Sequence, residues 1–97
     1  MTPTEDSLDL LREALEENGY ADTLIFTDFD YADAFIGVSD DERAVYDYDK
    51  MVDWLIEKEG FTLSEAVEWI DYNTMRALPY GGEGRPIVVY PIDIRKE

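Results

Sequence analysis

Ala34-Phe35-Ile36-Gly37-Val38-Ser39-Asp40-Asp41-Glu42-Arg43-Ala44-Val45-Tyr46 sets two short apolar runs on either side of a polar turn, which predicts an antiparallel hairpin over 34–46. The residues after it change period. Asp47 or Asp49 can cap a helix in which Met51, Val52, Leu55 and Ile56 recur at helical spacing, and Gly60 ends it. Thr62-Leu63-Ser64-Glu65 has the pattern of a capping box, and Ala66, Val67, Ile70 and Thr74 then share one face, so a second helix is expected to about residue 76 or 77. With only Glu59-Gly60-Phe61 between them, the two helices form a helical hairpin.

Working outward, Thr2-Pro3-Thr4-Glu5 reads as an N-cap, a proline at the first helical position and a glutamate placed to close the box. Leu8, Leu11 and Leu15, with Ala14, give that first helix an apolar face, and Asn18-Gly19 supplies a left-handed stop. Leu24-Ile25-Phe26 is short, apolar and bounded by polar residues, and is expected to be a strand; Asp28-Phe29-Asp30-Tyr31 follows neither period. Pro79 to Pro86 can hold no regular element, whereas Ile87-Val88-Val89-Tyr90 has the highest β-propensity in the chain and is expected to pair with the hairpin. The whole order predicts a single α+β domain over 1–97. Its small, mainly antiparallel sheet has three to four strands, with the N-terminal helix and the helical hairpin packed on it.

Composition narrows the function. The chain has 97 residues, 45% of them hydrophobic and 13% aromatic, which is too much apolar surface for a disordered acidic tail and enough for one core. It has no Cys and no His, so disulfides, thiolate chemistry, the usual zinc ligands and the commonest general base are all missing. No apolar run reaches the length of a membrane span and the first residues lack the pattern of a signal peptide, so a cytoplasmic protein is expected. Twenty-four acidic residues against eight basic ones give a net charge of −16. Such a field repels nucleic acid and anionic membranes and steers basic protein surfaces toward the chain.

Three motifs suggest chemistry and are better read without it. Asp28-Phe29-Asp30 after Leu24-Ile25-Phe26-Thr27 resembles the strand-then-DxD opening of haloacid dehalogenase-type phosphatases, but such enzymes need a longer doubly wound domain with a later lysine and a further acidic metal site. Asp47-Tyr48-Asp49 repeats the pattern, and turn and capping roles account for both. An EF-hand counted from Asp28 puts Asp33 where the glycine belongs and Ser39 where the glutamate belongs. Gly81-Gly82-Glu83-Gly84-Arg85 has the glycines of a phosphate loop without its GK[ST] ending, and reads as a flexible connection. We therefore expect no catalytic residues, no metal ligands and no cofactor.

The residues left over point to binding. Trp54 and Trp69 fall off the main apolar stripe of their helices, placing one or both at the edge of the helical hairpin, where aromatic side chains serve as interface anchors. The bland alternative for the acids is a solvated surface or adaptation to high salt.

Residues 34–51 and 65–80, within a stretch of roughly 24 to 92, resemble small acidic proteins encoded by bacteriophages and prophages of Gram-positive bacteria. That resemblance carries no functional residues; it implies a setting in which small acidic proteins disarm host nucleic-acid-binding defences. The expectation is a DNA-mimic inhibitor, of anti-CRISPR or anti-restriction type, whose carboxylates occupy a basic groove in a host nuclease or a CRISPR or restriction component. Asp53, Glu57, Glu65, Glu68 and Asp71 are the first candidate contacts, and Asp40, Asp41 and Glu42 the next. The alternative is a phage accessory or regulatory module that binds a protein through Trp54 and Trp69. The sequence decides neither the partner nor whether the chain is a monomer or a homodimer.

Overall fold

The computed structural model describes residues 7–27 and 29–92. The proposed N-terminal capping box at residues 2–5 lies outside them. Helix α1, Ser7–Glu17, buries Leu11 and Leu15 and half-buries Leu8, while Ala14 stays exposed at the edge of that face. It stops as its sequence requires. Gly19 takes φ 88°, its N–H reaches the Glu16 carbonyl at 3.1 Å, and the Tyr20 N–H reaches that of Leu15 at 2.7 Å. These are the two bonds of a Schellman cap.

The hairpin forms where it is expected. Strands β1, Phe35–Val38, and β2, Ala44–Asp47, are antiparallel, with Val38 opposite Ala44 and Phe35 opposite Tyr46. A register shift between Phe35 and Gly37 leaves Ile36 exposed in a bulge, which breaks the regular edge of β1. In the turn, Glu42 adopts the left-handed conformation at φ 64° and donates its N–H to the Ser39 carbonyl at 2.8 Å.

Asp47 ends β2 and caps α2, Tyr48–Glu59, its side chain accepting the Lys50 N–H at 3.0 Å. Gly60 closes α2 at φ 72°. Thr62 and Glu65 then make both bonds of the capping box that opens α3, Leu63–Trp69, at 3.1 and 2.9 Å. Beyond Trp69 the helix does not stay α: Ile70–Met75 is wound as π-helix, followed by a 3₁₀ turn at Leu78–Gly81.

Strand β3, Ile87–Val89, pairs with β2, giving the sheet order β1-β2-β3. The class is α+β, and the sheet is mixed, because β3 runs parallel to β2 with Val45 opposite Ile87 and Asp47 opposite Val89. The geometry follows from the connection: residues 48–86 carry the chain through α2, α3 and the turns before it returns, long enough for the crossover that a parallel pair needs.

Leu24-Ile25-Phe26 is not a strand. It runs as an irregular segment, with Ile25 and Phe26 packed on the core and the Phe26 N–H bonded to the Tyr46 hydroxyl at 3.3 Å. The core itself is Tyr31, Ala34, Tyr46, Met51, Leu55 and Ile70, each no more than 1% exposed, with Ala44 and Ala66 allowing the sheet and helices to approach closely. Rings run through it continuously, from Phe35 and Tyr46 to Phe26, Tyr31, Phe29 and Trp54, at centroid distances of 4.7 to 6.4 Å, where edge and tilted packing is favourable. The hydroxyl of Tyr46 sits so deep that burial pushes its pKa up to about 12, against the opposing bond from Phe26.

Candidate functional site

Every carboxylate expected to contact a partner is exposed. Asp53 and Glu57 are exposed on α2, Glu65 and Glu68 on α3, Asp71 on the π-helical turns, and Asp40, Asp41 and Glu42 on the hairpin turn. Among the described residues only Asp41 has an ion-pair partner, Arg43 at 3.6 Å. The Ser39 hydroxyl also donates to Asp41 and is the main reason its carboxyl titrates below the ordinary range, with desolvation opposing and Arg43 assisting.

These acids do not converge on one place. Glu65 and Glu68 border a shallow groove whose other walls are Phe61, Trp69, Tyr72 and Asn73. Tyr72 is 60% exposed and lies under the Arg76 guanidinium, 5.3 Å from its centroid. Asp71 faces another neighbour, the Tyr48 hydroxyl at 3.5 Å, beside the Tyr48–Tyr90 ring pair at 4.7 Å. Asp53, Glu57 and the three turn acids lie outside the groove. Glu65 divides its role, since one carboxylate oxygen is already bonded to the Thr62 N–H.

The two tryptophans separate. Trp54 is only 8% exposed and packs against Phe29 and Tyr31 at 5.9 and 5.5 Å, so it belongs to the core and not to the edge of the helical hairpin. The reason is that α2 is covered on more than its main apolar stripe, because the segment through Phe29 and Tyr31 lies over the Trp54 side. Trp69 is half-buried, 5.1 Å from Phe29 and 6.2 Å from Phe61, and does reach the groove. Phe61, Tyr72 and Asn73 are groove residues that sequence reasoning passed over, although Tyr72 and Asn73 stand three and four positions after Trp69 and so share its side of a helix.

Comparison of the chain with protein-family models, with curated proteins and with solved structures returns no match of any of the three kinds.

Of the described paired aspartates, Asp30 and Asp47 bond the backbone, while Asp49 is exposed in the first turn of α2. Asp30 accepts the Ala32 N–H at 2.9 Å to start the 3₁₀ turn, Asp47 caps α2, and Asp28 lies outside the described residues. Among the described residues no three acidic side chains are grouped to hold a metal.

A second feature lies behind the groove. A cleft of about 390 Å³ opens between residues 24–27, Phe29 and Tyr31, the π-helical turns and the loop 81–86. Its walls are aromatic, from Phe26, Phe29, Tyr31 and Trp69, and Arg85 stands in its lining. Tyr31 holds a left-handed backbone, φ 48° and ψ 36°, uncommon for so bulky a residue, and its hydroxyl meets the Thr74 hydroxyl at 2.9 Å. That bond ties Tyr31 to the π-helix. The glycine-rich loop is tied as well: the Arg43 Nε donates to the Arg85 carbonyl at 2.8 Å, and Arg85 Nη1 to the Gly82 carbonyl at 3.0 Å. Trp69 and Asn73 line both the cleft and the acidic groove.

Proposed function

We propose that this chain is a non-catalytic binding protein of phage origin that acts in the host cytoplasm as a DNA-mimic inhibitor. It covers the basic groove of a nuclease or of a CRISPR or restriction component. The observation that carries the reading is that the acids of the helical hairpin are exposed and free of ion pairs among the described residues, so their charge is uncompensated and open to a cationic surface. Lys and Arg placed for phosphates accept carboxylates with the same charge-assisted geometry. No described helix is long and apolar enough to cross a membrane, in keeping with action on a dissolved partner.

The test is inhibition of purified restriction and CRISPR nucleases by the wild-type chain and by the Glu65→Lys, Glu68→Lys, Asp71→Lys triple variant. Raising salt from about 50 to about 200 mM should weaken inhibition by tenfold or more, as it does for phosphate contacts. The triple variant should lose inhibition while keeping its fold. Inhibition that survives the charge reversal would refute the assignment.

The exposed ring of Tyr72 beside Phe61 and Trp69 favours one second reading, a phage accessory module that docks a partner on this aromatic edge. Its binding would resist salt and be lost in Trp69→Ala. Trp54 is unsuitable for that test, because truncating a core ring costs about 3–5 kcal/mol of stability.

A further inference from the structure

The cleft behind the acidic groove is unlike the rest of the molecule. One residue in four of the chain is acidic, 24 of 97, yet none of the described residues lining the cleft is Asp or Glu. One of the eight basic residues is there, Arg85. Charge is also distributed unevenly along the chain: residues 76–97 hold four basic and three acidic side chains, while residues 1–75 hold four basic and twenty-one acidic ones. Among the described lining residues the cleft is thus an apolar hollow in which Arg85 is the one charged side chain.

Its dimensions and lining suit a small ligand. A volume of about 390 Å³ falls in the range of small-molecule pockets, which are mostly apolar with a few convergent polar groups. The aromatic walls offer faces for a planar body. The polar groups are the Thr27, Asn73 and Thr74 side chains and the guanidinium of Arg85. Arg85 commits one side-chain N–H to the Gly82 carbonyl and has no ion-pair partner among the described residues, so its other donors can serve a bidentate acceptor. The walls are also fixed before any ligand arrives, by the Tyr31–Thr74 hydroxyl pair on one side and the Arg43–Arg85 bond on the other. π-Helical turns and strained backbone, both present at this wall, occur preferentially at functional sites.

We infer that the cleft is a binding site for a small aromatic monocarboxylate, whose ring lies against the wall formed by Phe26, Phe29 and Trp69 and whose carboxylate pairs with Arg85. The site is independent of the proposed inhibitory function, and neither its existence nor its test depends on a protein partner.

The experiment is titration of the isotopically labelled, full-length protein with hydrocinnamate and with its neutral isostere hydrocinnamamide, followed by two-dimensional NMR. The acid should shift the backbone resonances of Thr27, Trp69, Asn73, Thr74 and Arg85, and should bind about tenfold more tightly than the amide, the size of a charge-assisted pair at a partly solvated site. Arg85→Gln, which keeps the backbone bond from Arg43, should bring the acid down to the affinity of the amide. Ala77→Trp, which fills the cleft from its rim, should abolish both titrations. A dispersed spectrum verifies that each variant is folded, and either variant alone is sufficient. Failure of the acid to move any cleft resonance, equal binding of acid and amide by the wild type, or a preference for the acid that persists in Arg85→Gln would each overturn the inference.

Discussion

The hydroxyl pair between Tyr31 and Thr74 joins residues 43 positions apart and ties Tyr31 to the π-helical turns. Its strength can be bounded. At 2.9 Å it has ordinary geometry, and a neutral hydrogen bond of this kind contributes about 0.5–1.5 kcal/mol net. Tyr31 is 1% exposed, so water cannot reach most of it, whereas Thr74 is half-buried at the wall of the cleft. Removing either hydroxyl removes this bond. Thr74→Val and Tyr31→Phe should each cost about 0.5–1.5 kcal/mol. Tyr31 makes other interactions, so the double variant is the informative one. In a double-mutant cycle by urea unfolding the coupling between the two should be about 1 kcal/mol, equivalent to roughly 4–8 °C in Tm for a domain of this size. Single effects that add to within about 0.3 kcal/mol would show that the hydroxyls do not bond, and that the cleft wall is held in some other way.

Other consequences follow from local geometry. Thr62→Ala removes the cap of α3 and should destabilise the fold by about 1 kcal/mol in thermal or urea unfolding, whereas Ser64→Ala, within the first turn of the helix, should cost far less. Glu42→Asn replaces a glutamate at φ 64° with a residue that tolerates the left-handed region, and should stabilise by about 0.5–1 kcal/mol; a loss of stability would contradict the turn geometry. The pKa of Tyr46 is raised to about 12 in the fold from the ordinary value of 10, so the folded state holds this proton where the unfolded state has released it. Stability from this group is complete below about pH 10 and is lost as pH rises to about 12, on the order of 2–3 kcal/mol. Tyr46→Phe should flatten that part of the alkaline unfolding curve, and an unchanged curve would place the loss elsewhere.

Much of the fold is written locally in the sequence. The Asp47 and Thr62–Glu65 caps, the Gly19 and Gly60 stops and the 39–42 turn each depend on a few adjacent residues, and each forms as its chemistry dictates. What escaped is set by partners far along the chain. Leu24-Ile25-Phe26 is apolar because it is packed against the core, and apolarity alone does not specify a strand partner. The direction of β3 depends on how residues 48–86 return it to β2. The change from α to π after Trp69 is invisible to a pattern of spacings, since i→i+4 and i→i+5 windings present nearly the same residues inward over a single turn. Of the candidate contacts, the exposed acids were legible from composition, but their separation into a groove set around Glu65 and Glu68 and scattered others was not. The cleft was hidden altogether, because three distant segments contribute to it and no spacing in the sequence shows that they meet.

The parallel pairing of β3 with β2 has a kinetic side. A hairpin turn brings β1 to β2 after a few residues, but β3 can join only when residues 48–86 have been brought round. For flexible chain, closing a loop roughly eight times longer costs about 2 kcal/mol more in entropy, which α2 and α3 reduce only if they have already condensed against one another. Assembly should therefore run from the β1–β2 hairpin and the α2–α3 pair to the docking of β3 as the last event, giving the domain a slow closing step in refolding. Until it occurs, one edge of β2 is bare, and in a chain of net charge −16 mutual repulsion protects that intermediate from pairing with its neighbours.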